Sequence, residues 1–191
     1  MAIKTFTTGE VLAASDTNTY LANSGLVYIT EANPSGASSV SINNCFSATY
    51  NSYRIVWNGT AYSSTTGCLT SMRLRVGGVD NTSNNYYRSR WYYGAGGTSG
   101  TDGGATLTDG WSLADSNTPI HQFTADVFSP FQSVRTSIGS KAVSLQLINN
   151  TLYGIESVGV TSVTTSYDGF TLFPSNGTFT GKLIVYGYRQ A

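Results

Sequence analysis

Tyr53-Arg54-Ile55-Val56-Trp57-Asn58 decides the fold, because Tyr53, Ile55 and Trp57 alternate with Arg54, Val56 and Asn58. Successive side chains of a strand point to opposite faces, so this segment predicts a strand with an aromatic and aliphatic face turned to a core. Met72, Leu74 and Val76 repeat the pattern, with Arg73 and Arg75 on the other face. Outward from these two, further runs lie between turn signals at Leu26–Ile29, Val40–Ile42, Tyr86–Tyr93, Thr106–Leu113, Ile120–Val127, Val134–Ile138, Val143–Ile148, Val158–Thr165, Phe170–Phe173 and Phe179–Tyr188. Long stretches of helical period are absent, and so is any repeat of solenoid length. About a dozen short strands at this spacing predict an all-β chain, an antiparallel sandwich of jelly-roll type, with a simpler immunoglobulin-like sandwich as the alternative.

Composition narrows the function. The chain has 191 residues, enough for one domain with a real core. Only 10% of them are charged and the formal net charge is zero, so no global field would hold nucleic acid or an anionic membrane. Aromatic and β-branched residues are too plentiful for disorder. No apolar run reaches membrane-spanning length, and the first residues lack the basic-then-apolar shape of a secretory signal. Cytoplasmic synthesis is therefore expected. Cys45 and Cys68 cannot close a four-ligand zinc site; two free, half-buried thiols are expected of a reducing compartment, with a Cys45–Cys68 bridge formed after lysis as the alternative. The acceptor patterns at Asn58, Asn81, Asn149 and Asn176 then read as turns.

Two neighbouring stretches stand out. Tyr86-Tyr87-Arg88-Ser89-Arg90-Trp91-Tyr92-Tyr93 packs five aromatics and two arginines into eight residues. One face of such a strand should meet the core and the other a neighbour, because recognition surfaces are enriched in Tyr, Trp and Arg. Tyr86, Tyr87, Arg88, Arg90, Trp91, Tyr92 and Tyr93 are thus the candidate subunit interface or receptor surface. The adjoining segment from Gly94 to Gly104 has six glycines in eleven residues and reads as a long loop, either a plain hairpin connection or an adaptable tip. It lacks the lysine ending of a phosphate loop.

Catalysis finds little support. His121 is the single histidine, sits in an apparent strand and reads as a satisfied structural imidazole. No nucleophile elbow is present, and the seven aspartates mostly stand in turn dipeptides such as Asp80-Asn81, Asp102-Gly103 and Asp109-Gly110. No cofactor and no metal site is expected.

The N-terminal residues carry the one motif. Thr5 to Thr8 form an extended arm, Gly9-Glu10 a turn, Val11-Leu12 a short apolar run, and Ser15-Asp16 a helix start, with Gly25 placed to stop the helix. A helix so short must dock on something. Phe6-Thr-Thr-Gly-Glu-Val-Leu-Ala-Ala-Ser-Asp-Thr-Asn-Thr-Tyr-Leu21 resembles the opening segment shared by bacteriophage virion proteins, among them tail fibres, minor tail proteins and decoration proteins, with Ala13 where threonine is common. The resemblance implies residues 1–25 as a virion-docking arm, with Phe6, Val11, Leu12, Tyr20 and Leu21 as its contacts, and residues 26–191 as the sandwich. It further implies a homotrimer within the virion, assembled in the bacterial cytoplasm, and bound to another virion protein through the arm. Its role would be that of a host-contacting appendage, touching a cell-surface glycan or protein, or of a capsid decoration or head fibre. A glycan-cleaving tailspike is a third and poorer fit, since those enzymes are long β-helices.

Overall fold

The alternation around Trp57 places that strand at the centre of a two-layer sandwich. The structure, a computed structural model, describes residues 7–11, 13–16, 25–64, 68–115, 121–146 and 151–189. In chain order the strands are β1 (Leu26–Ala32), β2 (Val40–Ile42), β3 (Ser52–Tyr62), β4 (Leu69–Val76), β5 (Val79–Asp80), β6 (Tyr86–Gly94) and β7 (Ser99–Leu107). They continue as β8 (Trp111–Asp115), β9 (His121–Phe128), β10 (Ser137–Gln146), β11 (Thr151–Thr161), β12 (Gly169–Pro174) and β13 (Phe179–Tyr188).

One sheet runs β1-β13-β3-β9-β10-β11-β6-β7, and the other runs β2-β12-β4 with β5 and β8 both paired to β4. Every pairing is antiparallel. The order β1-β13-β3-β9 facing β2-β12-β4-β8 is that of a jelly roll, in which the chain crosses between layers at nearly every step. Two insertions widen the first sheet. The β6–β7 hairpin lies between β4 and β8 in the chain, the β10–β11 hairpin between β9 and β12, and β11 pairs with β6 to join them.

The core lies between the layers. Tyr53, Ile55 and Trp57 of β3, Met72 and Leu74 of β4, and Phe170 and Leu172 of β12 are all buried, as the alternation requires. Trp57 meets Phe179 edge-on at 5.0 Å and Tyr86 meets Trp111 edge-on at 5.3 Å. Each such ring contributes roughly 1.5–3 kcal/mol by leaving water. Cys45 and Cys68 are buried thiols, and burial pushes Cys45 up to about 12.

Several sequence expectations need correction. The segment from Gly94 to Gly104 is not a long loop: Ser99–Leu107 is a strand paired with β6, and only a tight turn, closed by Gly97 N to Gly94 O at 3.0 Å, separates the two. Glycine is needed there for packing, since a Cβ on Gly100 would overlap the Tyr92 side chain lying across it. The runs expected at Val134–Ile138 and Val143–Ile148 meet in one continuous strand, Ser137–Gln146, which Val134 to Thr136 precede, while residues 147–148 lie outside the described ones. Thr106–Leu113 is instead the end of β7, a turn at Gly110 with φ of 81°, and the start of β8.

The N-terminal helix is not seen. Among the described residues only Ala14–Asp16 make a helical turn, too short to be a helix, and residues 17–24 lie outside them. Nucleating a helix costs more than one turn returns. The turn at Gly9-Glu10 is present: Glu10 N donates to Thr7 O at 3.0 Å and Thr7 N donates to the Glu10 carboxylate at 3.1 Å.

Candidate binding face

Register assigns each residue of β6 to a side. Tyr86, Arg88, Arg90 and Tyr92 pair across to Thr161, Gly159, Ser157 and Ile155 and face inward, while Tyr87, Ser89, Trp91 and Tyr93 face out. The candidate surface read from sequence is therefore split. Tyr86 is a core residue whose hydroxyl accepts from Leu74 N and donates to Asn81 O, both at 3.0 Å. Tyr92 packs on Tyr153, ring centres 6.4 Å apart.

Arg90, its side chain 6% exposed, pairs with Asp102 and lies 3.7 Å from Asp115. Arg88 lies 3.6 Å from Asp109 and 3.9 Å from Asp102. Two buried guanidiniums thus face three carboxylates, of which Asp102 and Asp109 are partly exposed, and burial raises the Asp115 carboxyl above its ordinary range. These arginines hold the β6–β7 hairpin to β8 and are not offered to a partner. Tyr87, Trp91 and Tyr93 are offered: Trp91 is 43% and Tyr93 53% exposed.

The outer face of the large sheet continues from them in rows. One row runs Val56, Thr124, Lys141, Glu156, Trp91, each directly opposite the next. The row on one side is Asn58, Gln122, Val143, Gly154, Tyr93, and the row on the other is Arg54, Asp126, Gly139, Val158, Ser89. Gly139 leaves a gap in one outer row, and the space over Gly154 in the other is taken by the Tyr93 ring, which no side chain there lifts; a hollow opens on either side of the central row. The larger, of about 670 Å³, lies between Tyr93, Val143, Gln122 and Asn58, and the smaller, of about 300 Å³, between Trp91, Asp126 and Phe128. The larger falls within the size range of small-ligand sites.

Polar groups on this face are organised. Gln122 Nε2 donates to Asn58 Oδ1 at 2.7 Å. Arg54 grips Asp126 through two parallel bonds of 2.8 and 2.7 Å, and the Tyr188 hydroxyl adds a third at 2.7 Å. Burial alone would raise the Asp126 carboxyl, but the Arg54 fork and Tyr188 outweigh it and hold the group below its ordinary range. Lys141 lies 3.3 Å from Glu156 across the central row, an exposed pair of small energetic weight.

His121 is not part of this face. It is buried, with Nδ1 3.2 Å from Asp115 O and Nε2 3.2 Å from Thr70 Oγ1. A carbonyl only accepts, so the proton sits on Nδ1 and Nε2 accepts from Thr70. Thr70 is in turn 3.2 Å from the Tyr62 hydroxyl, which accepts from Trp57 Nε1 at 3.0 Å. The chain Trp57 to Tyr62 to Thr70 to His121 to Asp115 is satisfied only with a neutral imidazole, and burial lowers that imidazole to about 3. It is a structural histidine. Among the described residues no group of three or more His, Cys, Asp or Glu is arranged to hold a metal ion.

Of the arm contacts, Val11 is 85% exposed, and Phe6, Leu12, Tyr20 and Leu21 lie outside the described residues. Sequence reasoning missed Asn58, Gln122, Asp126, Lys141 and Glu156. Their only signal was the polar half of each alternation, and register alone brings these residues of four strands together. No family model matches the chain, and no curated protein or solved structure matches it.

Proposed function

We propose that this chain is a bacteriophage virion structural protein, a trimeric tail-fibre or appendage component that docks through its N-terminal arm and contacts the host surface with its sandwich. The observation that carries the reading is the segment Phe6 to Leu21, whose order of arm, turn, apolar run and polar start resembles the opening of such proteins. The exposed Trp91 and Tyr93 beside two hollows favour a contact role over capsid decoration, which needs no shaped outer face. The trimer rests on the resemblance.

An antibody to this chain, applied to particles in negative stain, tests the location. Label on the tail or on a fibre supports the appendage. Label over the capsid moves the role to decoration, and unlabelled particles overturn the virion reading. Light scattering at micromolar concentration tests the trimer, which a monomeric mass would refute.

A further inference from the structure

We infer that the hollows on the outer face of the large sheet bind an uncharged polysaccharide, and that this, rather than the β6–β7 turn, is where the host-contacting protein proposed above engages its receptor. The inference rests on that reading for its biological setting, but its physical grounds are separate.

Gly154 is the first ground. A Cβ there would overlap the Tyr93 ring, so the ring lies down against the sheet and presents its other side to solvent at 53% exposure. Trp91 stands two residues away on the same face, at a separation of about 7 Å along the strand. Two aromatic platforms at that spacing suit the apolar faces of neighbouring sugar rings. Donors and acceptors stand opposite them: the Asn58 and Gln122 amides are held together at 2.7 Å, and each keeps polar atoms for vicinal hydroxyls.

Charge gives the class. Lys141 with Glu156 and Arg54 with Asp126 cancel across the face, so neither an anionic nor a cationic ligand is favoured. The same groups argue against a protein partner or a second copy. Lys, Glu and Asp are depleted from the centres of protein interfaces, yet here they occupy the middle of the face.

The purified chain is passed over immobilised bacterial capsular and O-antigen polysaccharides, and those it retains are titrated in solution by calorimetry, which reads every variant alike, with tryptophan emission of the parent chain followed alongside. Trp57 and Trp111 are buried and Trp91 is exposed, so acrylamide quenching reports Trp91. We expect at least one uncharged polysaccharide to bind and to shield Trp91 from acrylamide. Trp91→Ala and Tyr93→Ala should each weaken binding at least tenfold, and Gly154→Val, which lifts the Tyr93 ring, should do the same. Tyr28→Ala, an exposed aromatic on the edge strand β1, should leave binding unchanged, with the melting temperature of every variant within a few degrees of the parent.

Three results overturn the inference: no uncharged polysaccharide binds, binding survives Trp91→Ala and Tyr93→Ala, or Trp91→Ala breaks up an oligomer seen by light scattering. The last would assign the face to a second copy. Antibody labelling of particles scores the virion reading separately. Unlabelled particles with polysaccharide binding intact would sink only that reading, and labelled particles whose chain binds no polysaccharide would sink only this one.

Discussion

Acidification should destabilise this sandwich through one side chain, His121. The imidazole is lowered from 6.5 to about 3 because it is buried, and its hydrogen bonds to Thr70 and Asp115 O are both made by the neutral form. Between those two values the unfolded chain takes up a proton that the folded chain refuses. Stability is therefore full above pH 6.5 and is lost as pH falls towards 3. Between pH 7 and pH 5 the loss is about 2 kcal/mol, since each pH unit below the unfolded pKa removes about 1.4 kcal/mol. Urea unfolding followed by tryptophan fluorescence at both pH values measures it, with His121→Gln as the reference that cannot titrate. Asp115, raised by burial, acts in the opposite sense but is carried by both proteins and cancels in the difference. At pH 7 the variant should be the less stable by about 1–3 kcal/mol, having lost a buried partner. At pH 5 the gap should nearly close. Equal pH dependence in the two proteins would refute the account, because it would mean that His121 is either solvated or already charged when folded.

Gly159→Val should lower stability by about 1–3 kcal/mol in chemical denaturation, since its side chain would enter the buried Trp111 ring; an unchanged midpoint would show that Trp111 has room to move. Arg54→Ala should raise the Asp126 carboxyl, followed by carbon-detected NMR titration, while costing under about 1 kcal/mol because the pair is partly exposed. The pair's contribution is present above the ordinary carboxylate value and is lost as pH falls through the lowered one. Removal of residues 1–24 should leave the melting temperature of the sandwich nearly unchanged and abolish incorporation into particles in a complementation assay. Normal incorporation would refute the docking role, and failure to fold would place the arm in the core.

The sandwich was legible wherever one face is apolar and the other polar. Around Trp57 and around Leu74 that contrast is strong, and the alternation there predicts both the strand and its buried side. It fails in the widened part of the large sheet, where the inward positions of β10 and β11 include Ser140, Ser144 and Ser157. Hydroxyls on the inner face erase the contrast, which is why β10 reads as two fragments. β7 was illegible for a different reason. Its Gly100 makes room for Tyr92 and its Gly103 for the backbone of Arg88, both of another strand, and read alone these glycines signal a loop. The candidate face was half legible: Trp91 and Tyr93 could be picked out as aromatics of one strand, but Tyr86, Arg88, Arg90 and Tyr92 share that strand and turn inward. No single segment could announce the hollows, because each wall comes from a different strand.

The first and last strands of the sandwich lie side by side, with Leu26 opposite Tyr188 and Arg189 N donating to Gly25 O at 2.9 Å. Tension applied along the arm therefore enters the domain at a single corner, on an edge strand held by one neighbour. Between that corner and β3, the near wall of the hollows, stands β13, so a pull between arm and ligand runs across the strands rather than along them. Ladders loaded in that direction open bond by bond, like a zip, instead of resisting as a set. β1, whose register already slips between Tyr28 and Thr30, is the element that should peel first. The sandwich would then lengthen under load at its anchored corner while the far side of the sheet, with Trp91 and Tyr93, kept its shape.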